Sequence, residues 1–174
     1  LKYNRKYNLI SKNSEKSIWL RHILDSAQIL RFIDISKKLR ISDLGSGAGF
    51  PGLILAIYAE KSEFHVKLYE KSPVKRSFLK EVLSELYLTN VSIGNNVYDK
   101  NINDELIVCR AFKKLDEIMN ISREMIKKPH KIIVLKGKNA QLEINNLSLP
   151  ANYSYKLEKS ITDNDSKIVI FEAK

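Results

Sequence analysis

A chain of 174 residues with 44% hydrophobic and 29% charged residues, six Gly and four Pro has the make-up of one folded domain, which excludes low-complexity and disordered classes. One cysteine, Cys109, and three scattered histidines (His22, His65, His130) exclude a disulfide scaffold and a Cys/His zinc site, so no metal is expected. No apolar run approaches the ~20 residues of a membrane span, so no membrane partner is expected and the cytoplasm is the expected compartment.

The net charge of +10 is regional. Residues 1–40 carry ten Lys/Arg against Glu15, Asp25 and Asp34, so seven of the ten net charges fall there and a polyanion is the natural partner. A solvated face with no partner is the competing reading of the same charge. The chain begins at Leu1 and not Met, and an upstream segment is expected to be missing.

Ser14 can cap a helix running to about Ile35, with Ile18, Ile23, Ala27, Leu30 and Ile33 near helical spacing and Arg21, Asp25 and Arg31 opposite. Residues 1–39 form a basic helical appendage on this reading, and 40–174 the main domain. Arg40–Leu44 is a short buried strand cut off by Gly45, and a helix follows from about Pro51. Phe64–Glu70 is a strand. Ser72 caps a helix over Pro73–Tyr87, whose stripe is Val74, Phe78, Leu79, Val82, Leu83 and Leu86. Val91–Ile93 and Leu106–Cys109 are further strands, and residues 114–127 are helical. Lys131–Lys136, Tyr153–Lys159 and Lys167–Ala173 close the chain as strands. Strands alternating with helices predict an α/β fold with a mostly parallel sheet, helices on both faces and an antiparallel C-terminal strand pair. Ligands in such sheets sit beyond the carboxyl ends of the strands.

Asp43-Leu-Gly45-Ser-Gly47-Ala-Gly49-Phe50-Pro-Gly52 lies at the first such end. Four glycines in eight residues let the backbone turn sharply and approach a ligand closely. Gly47-Ala-Gly49-Phe-Pro-Gly52 fits the dinucleotide pattern G-x-G-x-x-G, but Asp43 stands two residues before the first glycine, where a buried carboxylate needs a cationic or N–H partner. The arrangement resembles motif I of the Rossmann-like class I S-adenosylmethionine-dependent methyltransferases, in which an acid precedes the turn beneath the methionine portion. The resemblance places Glu70, at the end of the second strand, near the ribose. It also places Tyr98 and Asp99, in the loop after the third strand, near the adenine.

The chain further resembles the RsmG (GidB) family, which methylates guanine N7 in 16S ribosomal RNA. The shared segments are Asn8–Ser11, Arg21-His-Ile-Leu-Asp-Ser26, Asp43–Gly52, Lys75-Arg76 with Phe78-Leu79, Arg110-Ala-Phe112 and Leu135-Lys-Gly137. The resemblance implies S-adenosyl-L-methionine as cofactor, bound by Asp43, Gly45, Gly47, Phe50, Glu70, Tyr98, Asp99 and Arg110. Arg110 and Lys136 would position the reacting groups. It implies a small-subunit RNA substrate, with a guanine in the 530 loop as target. A monomer is expected. Val97 stands where the family pattern tends to have Arg, and Ser166-Lys167 replaces Arg-His, each removing a cation.

Guanine N7 has an in-plane lone pair and no proton to lose, so methyl transfer needs positioning and no general base. Neither an Asn/Asp-Pro-Pro-aromatic motif nor an exposed nucleophilic Cys occurs, and Cys109 inside an apolar strand reads as a buried inert thiol. The alternatives are a small-molecule methyltransferase, a nicotinamide-dependent oxidoreductase, and a non-catalytic RNA-binding protein on the same fold.

Overall fold

The computed structural model describes residues 2–59, 64–98, 102 and 104–174. Seven strands form one sheet: β1 (Leu39–Leu44), β2 (Phe64–Tyr69), β3 (Val91–Gly94), β4 (Leu106–Arg110), β5 (His130–Lys136), β6 (Tyr153–Lys159) and β7 (Lys167–Ala173). Their order is β3-β2-β1-β4-β5-β7-β6. β1 pairs in parallel with both β2 and β4, so the order reverses between β1 and β4, where open α/β sheets form their crevice. β7 runs antiparallel to β5 and β6, as the closing strand pair predicted.

Burial on both faces explains the continuous apolar runs of the central strands. Along β4, Leu106 and Val108 enter one core while Ile107 and Cys109 enter the other. The first core packs under α4 (Gly52–Tyr58) and α5 (Pro73–Glu85), the second under α6 (Leu115–Met125) and α7 (Ala140–Asn145). Ser72 caps α5 as expected, its hydroxyl accepting from Lys75 N at 3.4 Å. Val74 and Leu86, assigned to the buried stripe of that helix, instead face solvent.

The N-terminal helix departs from the single regular element expected. Residues 2–32 form α1 (Lys2–Tyr7), α2 (Lys12–Glu15), a π-helix (Trp19–Leu24), α3 (Asp25–Ala27) and a 3-10 helix (Gln28–Phe32). Its inward face is His22, Ser26, Gln28, Ile29 and Ile33, so the stripe Ile18, Ile23, Ala27 and Leu30 is only half-buried. The changes of helical period turn polar residues inward, where the end of the sheet supplies their partners. α1 was not anticipated; Tyr3 and Tyr7 pack on Phe78 and donate to Glu85 and Glu81 of α5 at 2.8 and 2.9 Å. No described helix is long and apolar enough to cross a membrane.

Candidate active site

A cavity of about 600 Å³ opens beyond the carboxyl ends of β1, β4 and β5, between the glycine turn, the N-terminal helices and the β6–β7 loop. That volume suits a cofactor together with part of a substrate. The turn is held from below. Gly45 N and Ser46 N donate to Tyr69 O at 2.9 and 3.0 Å, and Gly49 N closes back on Ser46 O at 2.7 Å. Glu70 ties the turn to the next helix, since Oε2 accepts from Gly47 N at 2.9 Å and Oε1 from Ser72 N at 2.7 Å. Gly47 has φ +57°, and an added Cβ would meet only Gly45 O, at 3.8 Å, so its surroundings are open.

Asp43 is fully buried. Its Oδ2 accepts from Gly52 N at 3.0 Å, while Oδ1 has no hydrogen-bond partner among the described residues. Burial pushes this carboxyl up to about 7, a rise that the Gly52 N–H limits. Asp43 therefore stands beneath the turn and does not line the cavity as the expected direct contact would require.

Gly45, Gly47, Phe50, Glu70, Arg110 and Lys136 all line the cavity. Tyr98 is half-exposed and lies outside that lining, and Asp99 lies outside the described residues. Lys136 donates to Glu143 Oε1 at 2.7 Å and to Lys113 O at 3.2 Å, which holds its ammonium at the cavity wall.

Arg110, at the end of β4, reaches into the N-terminal helices. It donates to Arg21 O at 2.8 Å, to Asp25 Oδ2 at 3.2 Å and to His22 Nδ1. The His22 ring stacks on Phe50 with centroids 5.2 Å apart. Burial and the Arg110 and Arg21 guanidinium groups hold the His22 pKa down at about 4. Its ring is therefore neutral near pH 7, and with Nδ1 accepting from Arg110 its proton sits on Nε2. Asp25 is the hub of this wall: Oδ1 accepts from Gln28 Nε2 and from Thr162 Oγ1, both at 2.7 Å, and Gln28 Oε1 accepts from Ile161 N at 2.9 Å. His22, Gln28 and Thr162 were not singled out from the sequence. The Arg-His-Ile-Leu-Asp-Ser segment was a signal for His22, whereas nothing local marks Thr162.

The strand order, the glycine turn at the end of β1 and the acid at the end of β2 define a class I S-adenosylmethionine-dependent methyltransferase. The residues fit that cofactor. An orphaned buried carboxylate oxygen lies beneath the turn, Glu70 stands at its edge, and the sulfonium and α-ammonium groups of the ligand are cationic. Solved structures share the fold at low identity. A ribosomal protein L11 methylase from Lactobacillus delbrueckii subsp. bulgaricus superposes with TM-score 0.68 and 17% identity, covering 87% of this chain and 77% of that one. A putative methyltransferase, yhhF, from Escherichia coli gives 0.66 and 16%, covering 87% and 86%.

The family is closer to hand. Residues 1–168 match the family model GidB, rRNA small subunit methyltransferase G. Ribosomal RNA small subunit methyltransferase G of Pelagibacter ubique is 36% identical over 94% of this chain and 78% of its own length. That of Rickettsia felis is 38% identical over 97% and 85%. The chain belongs to this family of S-adenosylmethionine-dependent methyltransferases.

Proposed function

We propose that the chain transfers a methyl group from S-adenosylmethionine to N7 of a guanine in the 530 loop of 16S ribosomal RNA, acting as a cytoplasmic monomer. The observation that carries the reading is one cavity with two unlike walls: the glycine turn on one side, and the helices that bear the excess basic charge on the other.

Bound at the turn, the cofactor supplies an electrophilic methyl on a sulfonium centre. Gly47 leaves room for it, and Glu70, whose oxygens each keep a further lone pair, accepts from the ribose hydroxyls. Asp43 supports the turn from beneath through Gly52 N. The adenine end of the cofactor would reach past the cavity lining to the loop after β3, there to meet Tyr98 and Asp99. Arg110 holds the far wall through Arg21, His22 and Asp25 and so positions the guanine edge without exchanging a proton.

N7 enters with its lone pair in line and loses no proton, which agrees with a wall whose imidazole stays neutral. Cys109 is fully buried and its thiol pKa is pushed up by burial, which disfavours a cytosine-type covalent route.

Incubation of the chain with labelled S-adenosylmethionine and unmodified small ribosomal subunits tests the reading. Label should enter 16S RNA, and cleavage chemistry specific for N7-methylguanine should cut at one position in the 530 loop. Label on another base, or in small molecules in place of RNA, would overturn it.

A further inference from the structure

Trp19 is 76% exposed, with Leu20 at 46% and Leu24 at 42% beside it. Large apolar side chains grouped on a surface need a reason, and an indole left in water is a costly one. The cause of the exposure is local: Trp19–Leu24 is π-helical, and hydrogen bonding at i→i+5 puts Trp19 and Leu24 on successive turns of one face while His22 points inward. The same six residues thus carry an outward apolar face and two cavity residues, Arg21 and His22.

The segment that bears this face is basic. Lys12, Lys16 and Arg21 are exposed, and no carboxylate pairs with their side chains among the described residues. The nearby Glu15 already accepts from Asn4, at 2.5 Å. An exposed aromatic ring on a segment that carries unpaired cations, one of which, Arg21, lines the cavity, is an arrangement that binds single-stranded nucleic acid: the cations follow the backbone and the ring takes a base.

We propose that Trp19, flanked by Leu20 and Leu24, is a stacking platform for an unpaired base of the RNA strand next to the methylated nucleotide. This rests on the proposed RNA substrate and adds to it a second point of grip outside the cavity. A ring that holds a neighbouring base would fix the strand while the target base enters.

The chain contains one tryptophan, so emission excited at the red edge, where its eight tyrosines do not absorb, reports on this residue alone. A synthetic RNA hairpin carrying the 530-loop sequence should quench the emission saturably, while heparin at equal charge should not. Trp19→Ala should raise KM for small subunits roughly tenfold to a hundredfold, the range for losing one stacked base. It should leave S-adenosylmethionine affinity and the unfolding midpoint unchanged, and Trp19→Phe should recover most of the loss.

Unchanged emission with the hairpin, or a Trp19→Ala enzyme with wild-type KM, overturns the platform even where the wild type methylates RNA. Emission that shifts with protein concentration and not with RNA would assign the face to a second copy of the chain and equally overturn it. Absence of RNA methylation by the wild type would remove the proposed function and this inference together.

Discussion

At the scale of single residues, the glycine turn separates groups that hold the fold from groups that leave space for a ligand. At Gly52 an added Cβ would lie 2.7 Å from Asp43 Oδ2 and 2.4 Å from Leu68, so a side chain there breaks the support of the turn. Gly47 differs, because its φ of +57° is tolerable to Asn and the space around it is open. Gly47→Asn should therefore fold normally yet weaken S-adenosylmethionine binding by about 1–3 kcal/mol, the usual cost of overfilling a packed site. Calorimetric titration beside a thermal melt checks both halves. Asp43 and His22 make an opposed pair in pH. A carboxyl raised to about 7 keeps its proton in the folded chain after the unfolded chain has lost it near pH 4, so Asp43 lowers stability as pH rises through that window. An imidazole depressed to about 4 does the reverse, and stability from His22 is lost as pH falls from about 6.5. Between about pH 4 and 6.5 the two slopes oppose each other. Asp43→Asn should uncover the His22 slope, so that urea midpoints climb with pH in the variant more steeply than in the wild type. Parallel midpoints for the two proteins would show that Asp43 ionises normally.

At the scale of elements, what was legible in the sequence follows how local the physics is. The central strands were readable because burial on both faces forces continuous apolar runs, and their ends place Gly45, Phe50, Glu70 and Arg110 at one rim. α7 leaves no trace in the sequence because only Ala140 and Ile144 are buried in its six residues, too few to show a period. With it went the partner of Lys136, since Glu143 lies on that helix. The N-terminal helices are not legible for a different reason: apolar periodicity assumes that the inward face is apolar, and here it includes Ser14, His22, Ser26 and Gln28. Their partners are remote, as with Gln28 and Ile161, 133 residues apart, so no sequence window contains both. Asp25 joins three elements, and removing it leaves Arg110 without its carboxylate in a largely buried position. Asp25→Ala should cost about 2–3 kcal/mol, as for hydrogen bonds to charged groups, whereas Thr162→Val should cost about 1 kcal/mol. Both should impair RNA turnover more than cofactor affinity, because Asp25 lies on the wall away from the glycine turn. Chemical denaturation with separate KM and kcat measurements would show equal losses in both substrates if the hub served only the fold.

At the scale of the molecule, the sheet divides the labour. The glycine turn grows from the end of β1, inside the near-neutral part of the chain, while the basic excess sits in the residues before it, most of it on the N-terminal helices. α1 is fastened to α5 through Tyr3 and Tyr7, which leaves the side chains of Lys2 and Arg5 outward, and Lys12 and Lys16 are exposed on the segment that follows. Lys6 is different, since its ammonium lies over the Tyr7 ring at 4.6 Å and helps pack the helix. If the outward cations neutralise phosphates, RNA affinity should fall with salt by roughly 0.7–0.9 log units per contact for each decade of concentration. Reversing Lys2, Arg5, Lys12 and Lys16 to Glu should flatten that slope and raise KM for small subunits. Cofactor affinity should not change, because exposed charges are screened over a Debye length of ~8 Å and the glycine turn belongs to another element. Salt titrations of RNA binding for the two proteins decide the matter: coincident slopes would make these cations a solvated face, and a parallel loss of S-adenosylmethionine binding would mean that the reversal had damaged the fold.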